Sequence, residues 1–200
     1  MKKSHLRKWN RYLTRKYGKD TTNRILSDAK IRYEDLLLTK DLKSNPNKNR
    51  LTKMVFPILA VYQALKNEHL TQEQALRDAE NLLCATFFST QLTGIRYMNR
   101  VLSDPFRIIK PVLLYMIKYS DLPSGQMIKQ NDKNCFAINV YQCFIHDTLL
   151  KNAPELTAVF CATDDWLSAA MPKIEWKRTQ TIGCGGEMCD FCWCRRKSNR

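Results

Sequence analysis

The stretch Ile174-Glu175-Trp176-Lys177-Arg178-Thr179-Gln180-Thr181-Ile182-Gly183-Cys184-Gly185-Gly186-Glu187-Met188-Cys189-Asp190-Phe191-Cys192-Trp193-Cys194 decides the fold. Its flanks, 174–182 and 188–194, are rich in aromatic and β-branched residues and read as two strands. The glycines between them read as a hairpin turn. Upstream, Phe136, Ile138 and Val140 alternate with Ala137, Asn139 and Tyr141, a third strand pattern running into Phe144. A helix from about Asp147 to Ala170, interrupted or bent at Pro154, separates it from the pair.

Further upstream the period changes from two to three and four. Leu6, Trp9, Leu13 and Tyr17 form the apolar stripe of a basic amphipathic helix, and a second helix is predicted over Thr22 to Leu42. The polar run 43–49 breaks the pattern. Met54 to Asn67 reads as a buried helix, Thr71 with Gln74 as a capping box, Glu73 to about Met98 as the next helix and Ile108 to Tyr119 as a last short one. The turn-rich segment 121–125 then closes the helical part. Helices followed by strand, helix, strand, strand make an α+β fold, with an N-terminal helical half packed with a C-terminal strand-helix-hairpin unit and its small antiparallel sheet. The division expected is 1–122 helical and 123–200 α+β, the latter carrying the site, within one compact domain overall.

The 200 residues are enough to bury a core, and the 6 glycines and 7 prolines exclude a low-complexity chain. The longest apolar run, 54–62, is too short to cross a membrane, and no signal-peptide core follows the basic start, so a cytoplasmic protein is expected. The net charge of +14 is concentrated at the ends: residues 1–50 hold 15 Lys and Arg against 5 Asp and Glu, and residues 173–200 hold 7 against 3. Such ends attract polyanions without specificity, so a solubilising face is favoured over a nucleic-acid partner.

Seven of the eight cysteines lie in the last 66 residues. In a reducing compartment they are expected to stay free thiols, leaving metal binding or thiol chemistry to consider. Cys184, Cys189, Cys192 and Cys194 have a poor spacing for zinc, because alternation along a strand would send Cys189 to one face and Cys192 and Cys194 to the other. Cys143, Cys161 and Cys189 can meet more easily between helix and sheet, and zinc is the metal such a trio would take. His146, three residues after Cys143, is a candidate proton carrier or ligand. Asp164 shares a helix face with Cys161. On a strand, Arg178 and Gln180 would share one side, while Thr179 and Thr181 would place a hydroxyl pair on the other.

Taken in order, Phe56 to Leu65, Asn139 to Cys143, Pro154-Glu155-Leu156, Phe160-Cys161-Ala162-Thr163-Asp164, Trp176 to Gly183 and Gly185-Gly186-Glu187-Met188-Cys189-Asp190-Phe191 resemble the L-2-amino-thiazoline-4-carboxylic acid hydrolase family. The chain departs from that family's pattern at Cys192-Trp193-Cys194. The resemblance implies a hydrolase that opens a small cyclic isothiourea to N-carbamoyl-L-cysteine. It implies Asp164 or Asp190 for the amidinium, Arg178 with Thr179 and Thr181 for substrate binding, His146 for proton transfer, and Cys161 or Cys189 as nucleophile or metal ligand. The alternative is a small-molecule- or metal-sensing module similar to four-vinyl-reductase domains. Oligomeric state is not legible in the sequence.

Overall fold

The computed structural model describes residues 1–39, 42, 45–119 and 125–196. Its elements are α1 (Lys3–Tyr17), α2 (Lys19–Thr39), α3 (Lys48–Arg50), α4 (Phe56–Asn67), α5 (Gln72–Leu83), α6 (Ser89–Val101), α7 (Phe106–Tyr119), β1 (Gln126–Asn131), β2 (Cys135–Val140), α8 (Phe144–Leu149), α9 (Thr157–Ala169), β3 (Ile174–Lys177) and β4 (Cys189–Arg195). Wider π turns at Leu51–Val55 and Cys84–Phe88 lead into α4 and α6, so the helix expected from Glu73 to Met98 is two helices joined by a bulge. The predicted turn at 121–124 and residues 43 and 44 of the predicted loop lie outside the described residues.

The change from helix to strand falls between Tyr119 and Gln126. Compact packing divides the chain earlier, into Met1–Ser89 and Thr90–Arg200, which leaves α7 and nearly all of α6 in the unit that holds the sheet.

In the first unit the middle of the predicted stripe is buried, Trp9 and Leu13 being fully covered and Leu6 and Tyr17 half-buried, and Ile25, Val55, Ile58, Leu59, Tyr62 and Leu65 are fully covered as well. The Trp9 indole donates to Thr86 Oγ1 at 2.7 Å. Fully buried Asp78 accepts from the Tyr12 hydroxyl at 2.7 Å and also from Lys16 Nζ and the Tyr17 hydroxyl, tying α1 to α5. This carboxylate holds Lys16 above its ordinary range even though desolvation works the other way. The Thr71–Gln74 capping box forms as read.

The second unit contains a four-stranded antiparallel sheet in the order β1-β2-β4-β3. Phe136 faces Trp193 and Ile138 faces Phe191 across β2 and β4, and Trp176 faces Trp193 across β3 and β4. These rings stack on one side of the sheet, Trp176 and Trp193 lying 4.8 Å apart, and join Phe106, Met171 and Ile174 in one core cluster. Ile95, Ile109, Leu113 and Ile117 of α6 and α7 pack against it. Alternation sends Cys135, Cys192 and Cys194 to the other side.

Three expectations are corrected. The edge strand β1 escaped the pattern reading because its Gln-Met-Ile-Lys-Gln-Asn sequence is polar and almost wholly exposed. The strand expected over 174–182 ends at Lys177, so Arg178, Thr179, Gln180 and Thr181 lie in a loop and do not alternate. Its continuation is a 3₁₀ turn, Ile182–Cys184, ended by Gly185 at φ +88°, and this long connection replaces the short hairpin. Finally, the thiols do not all stay free: Cys135 and Cys194, directly opposed in register, form a disulfide. No described helix is long and apolar enough to cross a membrane.

Candidate functional site

Two turns of α9 and the loop after β3 supply the centre of the site. Thr157, Cys161 and Asp164 recur at helical spacing on α9, so one face presents a hydroxyl, a thiol and a carboxyl. The loop comes so close to that face that a Cβ on Gly183 would sit 2.5 Å from Thr157 Cγ2 and 2.7 Å from Cys161 Sγ. Only glycine leaves both side chains in place there.

Two carboxylates hold the loop. Asp190, on β4, accepts from the backbone N–H groups of Thr179 (2.9 Å) and Gln180 (2.8 Å) and from the Thr179 hydroxyl (2.6 Å). These bonds keep it ionised below the usual carboxylate range, against the opposing effect of burial. Asp165, on α9, receives Arg178 at 2.6 Å and the Trp176 indole N–H at 3.2 Å. Arg178 also donates to the Cys161 carbonyl at 2.9 Å. The guanidinium is therefore clamped to α9, with its side chain only 15% exposed.

Asp164 has no such clamp. Burial pushes its carboxyl up to about 6, a rise that nearby Arg178 opposes and Asp165 reinforces. Burial likewise pushes the Cys161 thiol up to about 11, more strongly than neighbouring Thr181 can offset. Cys143 and Cys189 are also raised by burial, and both sulfurs serve the backbone. Cys143 caps α8 by accepting from His146 N at 3.5 Å, and Cys189 accepts from Ile182 N at 3.4 Å.

Three buried polar atoms in this half of the chain make no close hydrogen bond to protein, the hydroxyls of Thr157 and Thr181 and Nδ1 of His146, although the Thr181 hydroxyl lies near enough to the Cys161 thiol to lower it. A buried hydroxyl without a partner costs about 1–3 kcal/mol, so these atoms mark places where a bound molecule can make bonds that the fold leaves open.

The structure thus puts Cys161 within electrostatic reach of Cys143 and Cys189, with Thr181 beside Cys161 and Arg178 beside Asp164. It places Thr179 and Asp190 in the loop's own bracing. Among the described residues, no group of three or more His, Cys, Asp or Glu side chains is arranged to hold a metal ion. The cysteine trio therefore does not fit zinc as it stands, two of its sulfurs being engaged by backbone N–H groups. Sequence reasoning missed Thr157, although its place one turn before Cys161 signalled a shared face, and it missed Asp165 as the partner of Arg178.

No curated protein matches the chain. Among solved structures, the Fe(II) unliganded H-NOX protein from K. algicida aligns at 11% identity and TM-score 0.40, covering 100% of this chain and 99% of that one. A structure from work on heme distortion in the H-NOX family aligns at 11% identity and TM-score 0.30, with 98% and 96% covered. The family model for L-2-amino-thiazoline-4-carboxylic acid hydrolase matches residues 48–193, which takes in every side chain of the site just described. With nearly three-quarters of its length inside that match, the chain belongs to the L-2-amino-thiazoline-4-carboxylic acid hydrolase family.

Proposed function

We propose that the protein hydrolyses a small cyclic isothiourea, opening L-2-amino-thiazoline-4-carboxylate or a related cyclic amidine to the N-carbamoyl thiol. The observation that carries this reading is Asp164, a carboxyl pushed up to about 6 beside a cation and on the same face of α9 as Cys161. A carboxyl in that range is ionised at neutral pH yet basic enough to take a proton from water.

Ring opening needs water to add to the amidine carbon, the ring carbon–sulfur bond to break, and the departing sulfur to gain a proton. Asp164 removes one water proton and returns it to the sulfur, while the remaining hydroxyl proton leaves to solvent as the carbonyl forms, so an amidinium substrate releases one proton on becoming the neutral carbamoyl group. In the substrate complex its charge also faces the amidinium. Asp190 is a weaker candidate for that task, because both its oxygens already hold the loop. Arg178 has five N–H donors, of which two are committed to Cys161 and Asp165, leaving others for the substrate carboxylate.

Water is favoured over a thiol as nucleophile. With Cys161 pushed up to about 11, its thiolate is roughly one part in ten thousand at neutral pH. Cys189 is raised as well and its sulfur accepts a backbone bond.

The test is release of new thiol from the aminothiazoline carboxylate by the purified full chain. Asp164→Asn is expected to lower kcat by about 10²–10⁴-fold, whereas Cys161→Ala is expected to retain turnover within about tenfold. No thiol above the uncatalysed background would remove the hydrolase reading for this substrate. Tight binding without turnover would favour the sensing module of four-vinyl-reductase-like fold.

A further inference from the structure

On the side of the sheet away from the aromatic cluster, three sulfurs lie together. Cys135 of β2 and Cys194 of β4 are joined by the disulfide, and Cys192 Sγ lies 3.7 Å from Cys194 Sγ. All three residues are only half-buried, so reagents of small size can reach them. Lys177, which pairs with Cys192 across β3 and β4, sits beside the third thiol and bonds Glu175 at 3.0 Å. These residues lie outside the cluster around Asp164, and the hydrolytic reading uses none of them.

We propose that Cys135, Cys192 and Cys194 form a thiol–disulfide exchange site in which Cys194 is shared between two partners. The Cys192 thiolate attacks Cys194 Sγ. The Cys192–Cys194 bond forms, the Cys135–Cys194 bond breaks, and the electron pair leaves on Cys135, which takes up a proton from solvent in place of the one Cys192 gave up. There is no net oxidation in this step. It converts a link between β2 and β4 into a link within β4. The Cys135 thiolate is then able to attack a low-molecular-weight disulfide of the glutathione type, forming a mixed disulfide and releasing one equivalent of small thiol.

The charges facing Cys192 set the pace. Burial raises this thiol, Lys177 lowers it, and Glu175 and Asp190 raise it further. Exchange proceeds through the thiolate, so it is slow at neutral pH and quickens toward alkaline pH.

Trypsin makes the two bonding patterns distinguishable, because it cuts between Cys135 and Cys194 but leaves Cys192 and Cys194 on one peptide, residues 179–195. Protein purified without reductant, blocked with iodoacetamide and digested is expected to yield residues 134–151 linked to residues 179–195. Incubation at pH 9 with oxidised glutathione before blocking is expected to shift linkage into the 179–195 peptide and to place glutathione on Cys135. Cys192→Ser should keep the inter-strand link and slow its loss at least tenfold, while Cys135→Ser should show the link within β4 directly. Absence of the linked pair in the wild-type protein, or redistribution at the same rate in Cys192→Ser, would overturn the proposal. These readouts are bond maps, so they stand whether or not the hydrolase assay succeeds.

Discussion

Asp164 shows how one burial decision becomes a functional property. Its carboxyl, pushed up to about 6, stays protonated in the fold across a window where the unfolded chain, near 3.9, has already ionised. The folded state therefore binds more protons between those values, and stability falls as pH rises through them. Activity runs the other way, since the base must be ionised: kcat/KM is expected to fall about tenfold per pH unit below about 6 and to level off above it. Asp164→Asn should accordingly lose turnover yet gain on the order of 1 kcal/mol of stability at pH 7, with no gain at pH 4, read from denaturant midpoints at the two pH values. At this scale much of the site was legible. Cys161 and Asp164 stood at helical spacing, and Arg178 was marked as the guanidinium. The partnership of Arg178 with Asp165 was not legible, because a long side chain leaving a loop can reach any nearby acid. The unpartnered hydroxyl of Thr157 was not either, because whether a hydroxyl is satisfied depends on packing.

Among the elements, the segment 178–181 behaves as a strap tied down from two sides. Asp190 of β4 holds Thr179 and Gln180, and Asp165 of α9 holds Arg178. Removing the first tie with Asp190→Ala leaves two backbone N–H groups and a hydroxyl without their acceptor. A loss of about 1–3 kcal/mol is expected in urea denaturation, together with a raised KM as Arg178 and Thr181 lose their fixed places. Asp190→Asn, which keeps one acceptor oxygen, should lose less. Alternation predicted which residues of β4 face inward, and Cys189 and Trp193 are indeed buried while Cys192 and Cys194 lie on the other face. The end of β3 was hidden, because Thr179 to Ile182 have good strand propensity and only the tertiary bonds from Asp190 draw them out of the ladder. β1 was hidden for the opposite reason: its residues are polar, and pairing with β2 alone makes it a strand.

For the chain as a whole, the fold class followed from two periodicities, while its division into compact units did not, since helices α6 and α7 look alike in sequence whichever neighbour they cover. The charge excess is a property of the entire polypeptide. A net +14 concentrated toward the ends predicts weak adhesion to duplex DNA at low ionic strength that disappears by about 0.2 M salt. Fluorescence anisotropy across a salt series measures it, and binding that survives at 0.2 M with sequence preference would instead indicate a dedicated nucleic-acid role. A last consequence concerns β4, which presents Cys189 to the interior and Cys192 and Cys194 to the outside within six residues. A bulky maleimide that tags the outer sulfur in seconds has no path to the inner one while the strand stays seated. The rate at which Cys189 becomes tagged is then a clock for transient opening of this half of the protein, and any ligand that settles beside Cys161 should slow that clock.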